Sequence, residues 1–112
     1  MITDLTPSET IEEFKRRKLS FVHEPRVDIY YPATGEKLGT YQPDFVIDDK
    51  VLLELKAAFP LPGQFISQAY DYVKNSKYEL ILFVNFGGPR LYIKRLIFTN
   101  DRKLFLTASS QF

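Results

Sequence analysis

Hydrophobic and polar positions change period several times along the chain, and each change marks an element. Thr6-Pro7-Ser8-Glu9 has the form of a helix start: Thr6 can cap free amides, Pro7 suits the first helical position, and Glu9 follows the cap by three residues. The helix is predicted to run to about Lys18. Its apolar positions are Ile11, Phe14 and Leu19, and Lys15, Arg16, Arg17 and Lys18 form a basic end matched to the negative helix terminus. Those four cations read as a solvated helix end. Residues 20–31 have the content of a strand interrupted at Pro25, residues 32–37 read as a turn, and a second extended run opens at Leu38. A third strand starts near Val51. After the break at Pro60, Pro62 and Gly63, the residues Phe65, Ile66, Ala69, Tyr70 and Val73 recur at helical spacing as far as Asn75. Residues 79–86 are a nearly continuous apolar run ended by Gly87-Gly88-Pro89, and residues 90–99 alternate as a last strand. The predicted order is α-β-β-β-α-β-β. It implies a mixed sheet with helices packed on it, in the α/β or α+β class.

Composition narrows this picture. A chain of 112 residues with 45% hydrophobic positions is expected to form one domain, placed at residues 1–100, with residues 101–112 as a tail. Fifteen Lys and Arg against 14 Asp and Glu leave a formal charge of +1, so no global field draws the chain to nucleic acid, although a local basic surface remains open. The absence of Cys excludes disulfides, thiolate zinc sites and cysteine nucleophiles, which leaves a carboxylate site as the metal chemistry open to it. No stretch approaches the ~20 apolar residues that cross a bilayer, and the first residues lack a basic segment followed by an apolar run. A cytoplasmic location, with no membrane contact, is the expectation.

Chemistry concentrates between Pro43 and Lys56. If Asp48, Asp49 and Lys50 close a hairpin, Ile47 faces Val51 and Asp44 falls opposite Glu54, with Cβ atoms about 5 Å apart. Alternation then puts Asp44, Glu54 and Lys56 on one face and Phe45, Ile47, Leu53 and Leu55 on the other, whereas a slip by one residue would separate the acids. Two carboxylates so close repel unless a cation or proton lies between them. A magnesium ion that keeps several waters suits such a pair, with the Leu55 backbone carbonyl as a further donor. The ion could activate water and neutralise a phosphoryl group, with the Lys56 ammonium assisting, so the reaction suggested is phosphodiester hydrolysis. A surface ladder of ion pairs explains the same residues equally well.

Pro43-Asp44 followed by Glu54-Leu55-Lys56 at the end of an apolar strand resembles the bipartite signature of the PD-(D/E)XK nuclease superfamily. Leu38-Gly39-x-Tyr41-x-x-Asp44-Phe45-Val46, residues 51–57, Gln68-Ala69-Tyr70-Asp71-Tyr72 and residues 82–87 resemble successive blocks of the GxxExxY protein family, a branch of that superfamily. The likeness spans about residues 19–96. It implies a restriction-endonuclease-like α/β (α+β) core and a nuclease acting on DNA with Mg2+ or Mn2+. In it, Asp44 and Glu54 would be metal ligands and Lys56 the catalytic lysine. Gln68-x-x-x-Tyr72 resembles the motif that RecB-type nucleases carry on the following helix, and residues four apart share a helix face, so Gln68 and Tyr72 would line the cleft. Gln64 falls on the same face without a motif. A core role for Tyr72 and a solvated one for Gln68 is the alternative.

The family's naming motif, Gly-x-x-Glu-x-x-Tyr, does not occur in this sequence, and its place would fall near Thr3. Asp4, Glu9, Glu12 and Glu13 are the acids that could substitute. The missing motif keeps a second reading open, a nuclease-derived binding or assembly module that does not cut. Cleavage of duplex by so small a fold would also call for a homodimer. His23 and Glu24 are expected to point to opposite faces of a strand and to serve its edge rather than a metal. Asn85-Phe86-Gly87-Gly88 lacks the spacing of a phosphate loop and is expected to end a central strand. Lys94 and Arg95, near Tyr92, are candidates for phosphate contact, although adjacent strand positions divide between faces.

Overall fold

The computed structural model describes residues 6–109. Helix α1, Pro7–Arg16, starts as the sequence predicts: Thr6 Oγ1 accepts the Glu9 N–H at 3.1 Å. It ends two residues before Lys18. Arg16 and Arg17 turn back on the Glu13 carboxylate, and Lys15 to Lys18 are exposed, so the basic end is solvated.

The extended segments divide into more strands than the sequence pattern predicts. β1 (Phe21–His23) and β2 (Val27–Tyr30) replace the single strand expected over residues 20–31. Between them Glu24 takes a φ of 53° and Pro25 offers no amide, so the chain turns out of one sheet into another. The run opening at Leu38 likewise splits at Gln42-Pro43-Asp44 into β3 (Lys37–Tyr41) and β4 (Phe45–Ile47). β5 (Val51–Lys56), helix α2 (Gly63–Lys74), β6 (Leu80–Asn85) and β7 (Tyr92–Ile97) follow close to expectation. Beyond β7, where the sequence predicts a tail, a 3-10 turn (Asn100–Arg102) leads into helix α3 (Leu104–Ser109), and Lys103 and Phe105 are buried.

The main sheet has the order β1-β4-β5-β6-β7, with β5 and β6 parallel and every other neighbour antiparallel. A parallel pair needs a crossover, and α2 supplies it. The fold is thus the mixed α/β sheet flanked by helices that the sequence predicts. Phe45, Leu53, Ile47 and Leu55 meet Ile11 and Phe14 of α1 on one face. Val46, Leu52, Ile81 and Phe83 meet Ala69 and Val73 of α2 on the other. A fully buried Phe, Leu, Ile or Val among them, such as Phe45, Leu52 or Ile81, contributes about 1.5–3 kcal/mol.

The β2–β3 hairpin forms its own two-stranded sheet and adds Val27, Ile29 and Tyr41 to the core on the α2 side. Its end is fixed by a bond from Tyr30 N–H to the Asn75 carbonyl at 2.9 Å, and by Phe105, stacked on Tyr30 with ring centres 5.2 Å apart. The hairpin therefore brings Tyr41 and the chain entering β4 against α2.

Candidate active site

The turn after β4 sets the register on which the site depends. Asp48 and Asp49 both take a φ of 53°, which Asp tolerates better than most residues, and Lys50 N–H returns to the Ile47 carbonyl at 3.0 Å. Ile47 pairs with Val51, Val46 with Leu52 and Phe45 with Leu53, so the next facing residues are Asp44 and Glu54. The acids face one another as the pattern predicts.

Each acid is tied to the opposite strand's backbone. Glu54 Oε1 accepts the Asp44 N–H at 3.0 Å, and Asp44 Oδ2 accepts the Leu55 N–H at 2.6 Å. These bonds extend the ladder past its last backbone pair and fix the orientation of both carboxylates. Burial first, then the charge of Asp44, push the Glu54 carboxyl above its usual range, against the Asp44 amide, Lys56 and Tyr41. Lys56 Nζ stands 3.9 Å from Glu54 Oε2 and lies over the Phe65 ring, 5.3 Å from its centre.

The arrangement fits a hard divalent cation. Asp44 Oδ1 and Glu54 Oε2 are left outside the two backbone bonds, and a cation would relieve the repulsion that raises Glu54. Lys56 carbonyl accepts from Phe86 N–H on the β6 side, so the amide and carbonyl of Leu55, the neighbouring residue, face β4 and Asp44. The Leu55 carbonyl is thus on the side of the pair. Among the described residues no group of three or more His, Asp or Glu gathers in metal-binding proximity, so a cation here would draw on this pair and backbone.

Tyr72 reaches the site through another tyrosine. Its ring stacks on Tyr41 with centres 3.7 Å apart and planes 12° from parallel, and Tyr41 in turn faces Glu54. Gln68 is exposed one turn before Tyr72, on the stripe whose earlier member, Phe65, meets Lys56. Gln64 is exposed as well.

The remaining candidates lie elsewhere. Asp4 falls outside the described residues. Glu9, Glu12 and Glu13 belong to α1, which packs on the sheet face opposite Glu54, and Glu13 is engaged by Arg16 and Arg17. His23 stacks on Phe45, ring centres 4.8 Å apart, also on the α1 face, and its Nε2 lies 3.8 Å from Glu24 Oε1. Lys94 and Arg95 are exposed on β7, the edge strand. Tyr92 lines a cleft at the first turn of α2 together with Phe59, Ile66, Asn85 and Arg90.

Sequence reasoning missed two contributors. Tyr41 stands in the block that leads into Asp44 but is given no role there, and its place three residues before Asp44 is the signal that it ends beside the acids. Asn85 ends β6 as expected, but it is buried and its side chain bonds both polar groups of Ala58, two residues after Lys56.

The mixed sheet thus carries Glu54 and Lys56 on β5, with Asp44 facing Glu54 from the residue just before β4. A family model of the PD-(D/E)XK nuclease superfamily matches residues 9–96, more than three quarters of the chain, and the chain belongs to that superfamily. Among solved structures, an alkaline exonuclease (LHK-Exo) from Laribacter hongkongensis is similar, with a TM-score of 0.54 and 16% identity over 94% of this chain. At that identity the likeness is one of fold, and this chain covers 58% of the exonuclease. No curated protein gives a match. Among the described residues no helix is long and apolar enough to cross a membrane.

Proposed function

We propose that this domain is a Mg2+- or Mn2+-dependent nuclease that hydrolyses phosphodiester bonds of DNA, of the GxxExxY branch within its superfamily. The observation that carries the reading is the reciprocal tie of Asp44 and Glu54 to each other's strands, with Lys56 beside them. Two carboxylates preorganised in mutual repulsion cost stability, and such a cost is expected where a cation is to be bound.

Asp44, Glu54 and the Leu55 carbonyl would hold the ion. When bound, it would lower the pKa of a coordinated water and neutralise charge on the phosphoryl group. Lys56 would then orient the attacking water and balance the charge that develops on the phosphoryl oxygens. Gln68 and Tyr72, along the α2 stripe, would contact the strand as it enters. The test is cleavage of labelled single-stranded, duplex and branched DNA with Mg2+ or Mn2+, by the intact protein, Glu54→Ala and Lys56→Ala prepared identically. Metal-dependent cleavage lost in both variants supports the proposal; cleavage unchanged by either rejects it.

A second reading, a nuclease-fold binding or assembly module, is favoured by one observation: no third acid joins Asp44 and Glu54 among the described residues. It expects no Mn2+ binding that depends on Asp44 and Glu54. If duplex is cut in both strands, a homodimer is expected, visible as a two-fold mass in sedimentation.

A further inference from the structure

Tyr41 is more than nine-tenths buried, yet its hydroxyl has no hydrogen-bond partner. A buried phenol O–H that closes no hydrogen bond is a cost that Phe at the same position would avoid. Packing does not require the oxygen, because the stack on Tyr72 is made by the ring. After burial, Glu54 bears most on the hydroxyl, through its charge and then through hydrogen bonding, ahead of Tyr72 and Asp44. Glu54 Oε1 is already committed to the Asp44 amide, and Lys56 approaches Oε2 no closer than 3.9 Å. The Tyr41 hydroxyl thus acts on a carboxylate that Lys56 does not closely pair, without closing a hydrogen bond of ordinary geometry to it.

We propose that Tyr41 is a positioning residue for Glu54: its hydroxyl donates to the Glu54 carboxylate once that group engages a divalent cation, and so fixes the carboxylate's rotation. The inference rests on the metal-site reading above. Groups that orient a ligating side chain commonly set metal affinity by 10–100-fold. The stack on Tyr72 fixes where the Tyr41 ring lies, so the hydroxyl oxygen is in place before the cation arrives.

The test measures Mn2+ affinity by calorimetry and melting temperature without metal, for the intact protein, Tyr41→Phe and Glu54→Gln. Tyr41→Phe is expected to melt at or above the intact protein, since it deletes an unpaired buried group, and to bind Mn2+ roughly 10-fold more weakly. Unchanged Mn2+ affinity in Tyr41→Phe, beside a clear loss in Glu54→Gln, overturns the proposal and leaves the metal site standing. A lower melting temperature in Tyr41→Phe together with weaker binding also overturns it, because the hydroxyl would then be supporting the fold. Mn2+ binding unaffected by Glu54→Gln removes the metal-site reading itself, and the role of Tyr41 with it.

Discussion

Asn85 grips Ala58 by both backbone polar groups: its Oδ1 accepts the Ala58 N–H at 3.0 Å, and its Nδ2 donates to the Ala58 carbonyl at 2.9 Å. The amide thereby continues the β5–β6 ladder beyond its last pair, Lys56 with Asn85. Oδ1 also takes the Gly87 N–H at 3.2 Å. Asn85→Ala strips partners from three backbone groups near a buried position, and an expected cost of about 2–3 kcal/mol follows. Urea unfolding measures it. Because Ala58 anchors the chain just past Lys56, the DNA cleavage proposed above, where it is measured, is expected to fall in this variant more in rate than in DNA affinity.

Gly87 packs directly on the segment that Asn85 holds. A Cβ built there would lie 2.2 Å from Ala58 N and 2.6 Å from both the Ala57 and Ala58 carbonyl carbons. Backbone cannot swing aside as a flexible side chain can. Gly87→Ala is expected to displace residues 57–58 at a cost of about 1–3 kcal/mol, whereas Gly63→Ala, with nothing within 4 Å of its Cβ, leaves the melting temperature within a degree or two. Thermal melts of the two variants side by side make the comparison.

The facing of Asp44 and Glu54 was legible because a short hairpin leaves its register little freedom: Asp48 and Asp49 turn, Ile47 meets Val51, and alternation does the rest. The division of residues 20–31 and of the run after Leu38 was not legible. Pro25 and Pro43 mark breaks, but whether a strand resumes in the same sheet is decided by packing far along the chain, here against α2 and Phe105. Lys103 breaks the pattern outright, being a charged residue in a buried place. Tyr41 shows the limit for the site. Its aromatic ring obeys the core pattern, and the hydroxyl that faces Glu54 leaves no periodic trace.

Glu54 gives a linkage prediction for the metal-free protein. Burial and Asp44 raise its carboxyl in the folded state, so the folded chain binds the proton more tightly than the unfolded chain. Stability is then present at low pH and falls as pH rises through the interval above the carboxyl's ordinary value of 4.5. Glu54→Gln keeps an acceptor for the Asp44 amide and removes the charge. At pH 7 without metal it is expected to melt above the intact protein, and the gap should close as pH approaches 4. Saturating Mn2+ should reverse the order, since the cation stabilises the protein that binds it.

Lys103 carries the opposite sign on the alkaline side. Its ammonium is buried, donating to the Ser76 carbonyl at 2.8 Å and the Tyr78 carbonyl at 2.6 Å. Burial lowers its pKa from 10.5 to about 8, against the charge of Glu79. Over that interval the unfolded chain holds the proton that the folded chain has released, so stability rises with pH, by roughly 1–3 kcal/mol across the whole interval. Tyr78, whose phenol is pushed up by burial and Asp49, opposes this above pH 10. The clean window is therefore about pH 8 to 9.5. Urea midpoints of the intact protein are expected to climb there, and Lys103→Met, which deletes the titrating group, should show a flat profile; a flat profile in the intact protein would mean that its ammonium is as well solvated folded as unfolded.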